Sequence, residues 1–128
     1  MNCPVCGKPL IILERNNIEV DYCLSCNGFW LDAGELEILY QIFNGNSDIM
    51  SPFKYPAIKS DERKYKCPVC SAKMKKVRIN GIVVDVCPNT DGIWFDKGEL
   101  SDVINKLGNS SEKSEIINFL GENFCKSI

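Results

Sequence analysis

The feature that most constrains this chain is a cysteine spacing written twice. Cys3-Pro-Val-Cys6 is followed, after sixteen intervening residues, by Cys23-Leu-Ser-Cys26, and the frame returns 64 positions later at Cys67, Cys70 and Cys87. From Cys3/Cys67 to Leu36/Leu100 the two copies align without a gap, and 15 of the 34 positions are identical. Each copy ends on a matching run, Gly28-Phe-Trp-Leu-Asp-Ala-Gly-Glu-Leu36 and Gly92-Ile-Trp-Phe-Asp-Lys-Gly-Glu-Leu100. This is one module repeated, and each repeat is too small to bury the apolar surface that folding alone requires.

Something must staple such modules. No apolar leader precedes Cys3, so a reducing, cytoplasmic setting is expected, where cysteines at this spacing hold metal more often than each other. Two Cys-x-x-Cys pairs fit a zinc-ribbon frame. In the first repeat Cys3, Cys6, Cys23 and Cys26 supply four thiolates for a closed, tetrahedral, structural site. The second repeat offers Cys67, Cys70 and Cys87, with Thr90 standing where Cys26 stands in the first. Asp91 is the expected fourth ligand there; an open or water-filled position and Cys125 reaching back from the tail are the alternatives. An oxygen donor would make this second zinc the weaker of the two. The same ligands also suit a single iron, which keeps a rubredoxin-like electron-transfer protein as an alternative function.

Between the cysteine pairs, alternation predicts hairpins. In residues 10–22 it puts Ile11, Leu13, Ile18, Val20 and Tyr22 on one side of a turn at Asn16-Asn17. In residues 74–86, Asn80-Gly81 suits a two-residue turn that sets Ile79 opposite Ile82, Val77 opposite Val84 and Lys76 opposite Asp85. After each second knuckle, Asp32-x-x-Glu35 and Asp96-x-x-Glu99 read as capping boxes opening helices, the first running to Phe43 and the second to Leu107. Trp30 and Trp94 are expected in the core. Gly34 and Gly98, inside the first helical turn, are expected to mark a close approach of another group. The predicted fold is small α+β: repeat 1 over 1–45, a linker over 46–66, repeat 2 over 67–109, and a C-terminal amphipathic helix over 110–128.

The Cys-Pro-x-Cys start, the hairpin gap and the Cys…Gly-x-Trp-[Leu/Phe]-Asp-x-Gly-Glu-Leu end resemble the transcription-factor zinc-finger family, whose ribbon is similar to that of general transcription factor IIB. The resemblance implies two zinc-binding modules and, by the family's name, a link to transcription. The chain contains no histidine, and no nucleophile is paired with a base, so an enzyme is not expected. A formal net charge of −2 disfavours a general nucleic-acid binder, and the cluster Lys73, Lys75, Lys76 and Arg78 is the one basic patch that could serve as such. A protein partner is the preferred expectation, with a nucleic-acid-binding ribbon as the alternative, and no apolar run is long enough for a membrane span.

Overall fold

The computed structural model of the protein describes residues 1–15, 18–35, 53, 55–79 and 81–99. Each repeat contributes three strands: β1 (Ile11–Arg15), β2 (Ile18–Tyr22) and β3 (Phe29–Asp32), then β4 (Lys75–Ile79), β5 (Ile82–Val86) and β6 (Gly92–Phe95). The six join in one antiparallel sheet of order β1-β2-β3-β6-β5-β4. Both hairpins have the expected register, with Ile11 opposite Tyr22 and Leu13 opposite Val20 in the first, and Ile79 opposite Ile82, Val77 opposite Val84 and Lys76 opposite Asp85 in the second. A one-residue slip would turn every apolar side chain to the wrong face, so alternation and the position of the turn together pin these pairs.

The third strand of each repeat is not among the expected elements. β3 and β6 pair with each other, Phe29 opposite Phe95, Trp30 opposite Trp94 and Leu31 opposite Ile93, so the repeats are fused through their shared Gly-x-Trp segments. Because Trp94 is the repeat equivalent of Trp30, a local twofold axis passes between the two indoles. Both are fully buried, and each donates its indole N–H to the aspartate two residues on, Trp30 to Asp32 at 2.9 Å and Trp94 to Asp96 at 3.0 Å. One face of the sheet gathers the tryptophans with Met74 and the buried cysteines. The opposite face carries Val20, Tyr22, Phe29, Leu31, Val77, Val84, Val86, Ile93 and Phe95, all buried.

Gly28 and Gly92 are what allow the repeats to approach so closely. A Cβ on Gly92 would strike the Leu31 carbonyl oxygen and the Trp30 ring; one on Gly28 would strike the Trp94 ring and lie 2.9 Å from the Phe95 carbonyl oxygen. The expectation for Gly34 and Gly98 is corrected: a Cβ on either would meet nothing within 4 Å. Gly98 is needed for another reason, since its φ of +84° closes a turn in which Glu99 N–H donates to the Asp96 carbonyl at 2.9 Å. Lys97 and Gly98 thus form a turn where the expected helix would begin directly after Asp96, and Glu99 is the first residue with helical geometry.

The capping-box bond appears here, Asp96 N–H to Glu99 Oε1 at 2.8 Å. In the first repeat Ala33–Glu35 are helical directly after Asp32, and Glu35 Oε2 accepts the N–H of Glu19 at 2.9 Å. The remainder of both expected helices, the turn residues Asn16, Asn17 and Asn80 and the whole 110–128 tail lie outside the described residues. Among those residues no helix is long and apolar enough to cross a membrane.

Candidate metal centres

Each site is assembled by two knuckles that the hairpin brings back together. The first knuckle turns at Gly7 (φ +79°) in one repeat and at Ser71 (φ +65°) in the other, each donating its N–H to the carbonyl of the leading cysteine. Both knuckles of each repeat aim backbone N–H groups at sulfur: Val5 to Cys3 at 3.3 Å, Cys26 to Cys23 at 3.3 Å, Val69 to Cys67 at 3.4 Å and Asn89 to Cys87 at 3.3 Å. Such bonds stabilise thiolate over thiol, the form that binds metal.

Cys3, Cys6, Cys23 and Cys26 converge with one ligand atom each, all within 4.8 Å of one another, and so do Cys67, Cys70, Cys87 and Asp91. The separations suit one ion per cluster. A tetrahedral zinc with bonds of about 2.3 Å to sulfur and about 2.1 Å to oxygen sets sulfurs about 3.8 Å apart and sulfur from oxygen about 3.6 Å. Cys6 and Cys23 lie 3.6 Å apart, as do Cys70 and Cys87. Asp91 Oδ2 lies 3.6 Å from Cys67 Sγ and 3.5 Å from Cys87 Sγ. The donor set fits zinc in both places, and Cys125 lies outside the described residues.

The carboxylate reaches the second site through a change of turn. In the first repeat the left-handed residue is Asn27 (φ +62°), directly after Cys26, and its N–H bonds the Cys23 carbonyl four residues back at 2.8 Å. In the second it is Thr90 (φ +62°), one aligned position earlier, with a three-residue closure onto the Cys87 carbonyl at 3.2 Å. The tighter turn rotates Asp91 toward the three thiols.

Burial and local dipoles divide the thiols. Burial raises Cys3, Cys26 and Cys87, and pushes Cys67 up to about 12. The exposed thiols go the other way: the Lys8 backbone N–H lowers Cys6 to about 7, and the Ala72 backbone followed by the Asn89 amide lowers Cys70. An incoming cation would thus meet its most acidic thiol at the exposed position of each site and displace protons from the buried partners. Asn89, whose Nδ2 donates to Cys70 Sγ at 3.4 Å, was not singled out from the sequence; its place beside the missing cysteine is the only signal there. Its aligned counterpart Ser25 accepts from Lys8 Nζ at 2.9 Å. Each pair ties one knuckle to the other.

Of the basic cluster, Lys73 and Arg78 stay exposed, while Lys75 and Lys76 are engaged by neighbouring groups. Lys76 is 3% exposed, with Nζ 2.6 Å from Asp85 Oδ1 and 3.5 Å from Glu62 Oε2, and it lies 5.0 Å from the Tyr65 ring centre. Burial raises the Asp85 carboxyl above its ordinary value even though Lys76 pulls it down. Lys75 Nζ donates to the carbonyls of Phe53 and Tyr55, both at 3.2 Å.

A family profile described as transcription factor zinc-finger matches residues 2–42 and again residues 66–106, more than half of the chain. No curated protein and no solved structure matches it.

Proposed function

Because the chain belongs to the transcription factor zinc-finger family, we propose that it is a non-enzymatic module in which two zinc ions hold a rigid surface for docking on another protein. Cys3, Cys6, Cys23 and Cys26 would hold one ion, and Cys67, Cys70, Cys87 and Asp91 the other. The observation that carries this reading is the double convergence of four donors within 4.8 Å, each on knuckles anchored to one sheet. Bound there, zinc supplies a cross-link between knuckles and, with four protein donors, keeps no position for a reacting water. Protein is preferred to nucleic acid because the net charge is −2 and Lys75 and Lys76 are engaged inside the protein. The family's description makes transcription machinery the first class of partner to try.

Elemental analysis of the purified protein should give two zinc ions per chain, with unfolding on chelation. A metal-free chain that stays folded would sink the structural role, and a red protein with thiolate-to-iron absorption would move the function to electron transfer. Salt-sensitive, submicromolar binding of random duplex DNA at physiological ionic strength would reverse the preference for a protein partner.

A further inference from the structure

The two ends of the sheet are repeat equivalents, yet among the described residues only one of them is covered by another segment. At the β4 edge the chain's own residues 53 and 55–65 lie alongside the strand. Ile58 N–H donates to the outward Lys76 carbonyl at 2.9 Å, Lys75 Nζ holds the carbonyls of Phe53 and Tyr55, and Glu62 and Tyr65 close over Lys76. The β1 edge has none of this among the described residues. Ile12, the equivalent of Lys76, is 65% exposed and Ile11 is 37% exposed. No described backbone group pairs with the outward side of Ile12.

The charges differ in a matching way. In the second repeat Asp85 is answered across the strand pair by Lys76. In the first, Asp21 lies opposite Ile12 and has no ion pair within contact distance among the described residues; Asp32, Glu19 and Glu35 are the carboxylates near it, with the N-terminal ammonium the one cation acting on it from a distance. Residues 1–45 carry a net charge of −4. An open strand edge is a template for another chain, and proteins usually cover or charge it to prevent that.

We propose that β1 receives an extended, basic segment of a partner protein as a seventh strand, seated as the chain's own segment 55–65 is on β4. Backbone hydrogen bonds to the outward groups of Ile12 and Glu14 give the segment its register, an apolar side chain covers Ile12, and a lysine or arginine supplies Asp21 with the cation that Lys76 gives Asp85. This rests on the reading of the chain as a zinc-held protein-docking module and names the surface and the chemistry it takes.

The chain's own template supplies the probe. Zinc-loaded, 15N-labelled full-length protein is titrated with a synthetic peptide of residues 55–66 carrying Glu62→Lys. Amide shifts confined to Ile11–Arg15 and Asp21 are expected. A peptide also carrying Ile58→Pro should bind about fivefold or more weakly, since it lacks the donor for the Ile12 carbonyl. Ile12→Lys in the protein should abolish the preference for the Glu62→Lys peptide over the unsubstituted one. Equal binding of the proline peptide, or the same shifts on concentrating the protein without peptide, would overturn the proposal, the latter giving the edge to a second copy. Silence at β1 in a spectrum that reports a folded, two-zinc chain removes this edge alone; a chain unfolded with zinc present removes the module reading as well.

Discussion

Asp91→Ala tests the least symmetric part of the protein. Structural zinc sites bind with about 10–16 kcal/mol, so an even share is roughly 3–4 kcal/mol per ligand, or two to three decades in affinity. Oxygen is the harder donor and takes the smaller share, so loss of Asp91 should weaken the second site about 100-fold. The three thiols stay in place, and the first cluster, with none of its donors near Asp91, should be unchanged. The reverse change follows from the turn geometry. Thr90→Cys with Asp91→Asn copies the Cys26-Asn27 pair, lets the left-handed residue return to position 91, and should make the second site tighter than in the natural chain. The assay is titration of the two-zinc protein against a chelator of known affinity, with native mass spectrometry counting the ions retained. Asp91→Ala should pass through a one-zinc species at far lower chelator concentration than the natural chain. If its release curve overlays the natural one, the carboxylate is not a ligand; if Cys125→Ser moves the curve instead, the fourth donor comes from the tail.

Gly92→Ala should destabilise the zinc-loaded protein by about 2–3 kcal/mol in urea unfolding, the upper part of the overpacking range, because the obstructing atom is the Leu31 carbonyl oxygen and cannot rotate away. Gly34→Ala is its control: helical, with open space around it, it should gain up to about 1 kcal/mol, and a loss there as large as at Gly92 would refute the contact argument. Ser71→Gly should stabilise by about 1 kcal/mol, since Ser71 sits at φ +65° where its aligned counterpart is Gly7; an unchanged denaturation midpoint would count against it. Burial, with Asp96 and Asp85 adding, raises the Glu99 carboxyl from 4.5 to about 7. A raised acid binds its proton more tightly when folded, so stability falls as pH climbs through that window and is level above it. Glu99→Gln should therefore gain on the natural chain as pH rises from 4.5 to about 7 with zinc in excess, the gain levelling off above that at about 1 kcal/mol after allowance for solvent screening. A difference that does not vary with pH would contradict the assignment.

Much of the protein was determined locally and was therefore legible. The cysteine spacing named both clusters, because two residues three apart on a tight turn can reach one ion whatever surrounds them. Alternation together with a two-residue turn, Asn16-Asn17 in one repeat and Asn80-Gly81 in the other, determined both hairpin registers: the period of two excludes a one-residue slip and the turn length excludes longer ones. Asp91 could be nominated as a ligand because it stands one residue from the missing cysteine. How it gets there, by moving the left-handed residue from the position after Cys26 to Thr90, depends on which carbonyl closes the turn, and composition does not encode that choice.

The pairing of β3 with β6 was decided only in three dimensions. Gly28-Phe-Trp and Gly92-Ile-Trp read locally as a lead into a helix, and only when two copies meet do their glycines become clearance for the opposite indole. Lys76 likewise looks from its neighbours Lys75 and Arg78 like part of a solvated basic strand. It is buried because a segment that includes Ile58 and Glu62, well before it in the chain, folds over it, and no local pattern records a contact between residues that distant in sequence.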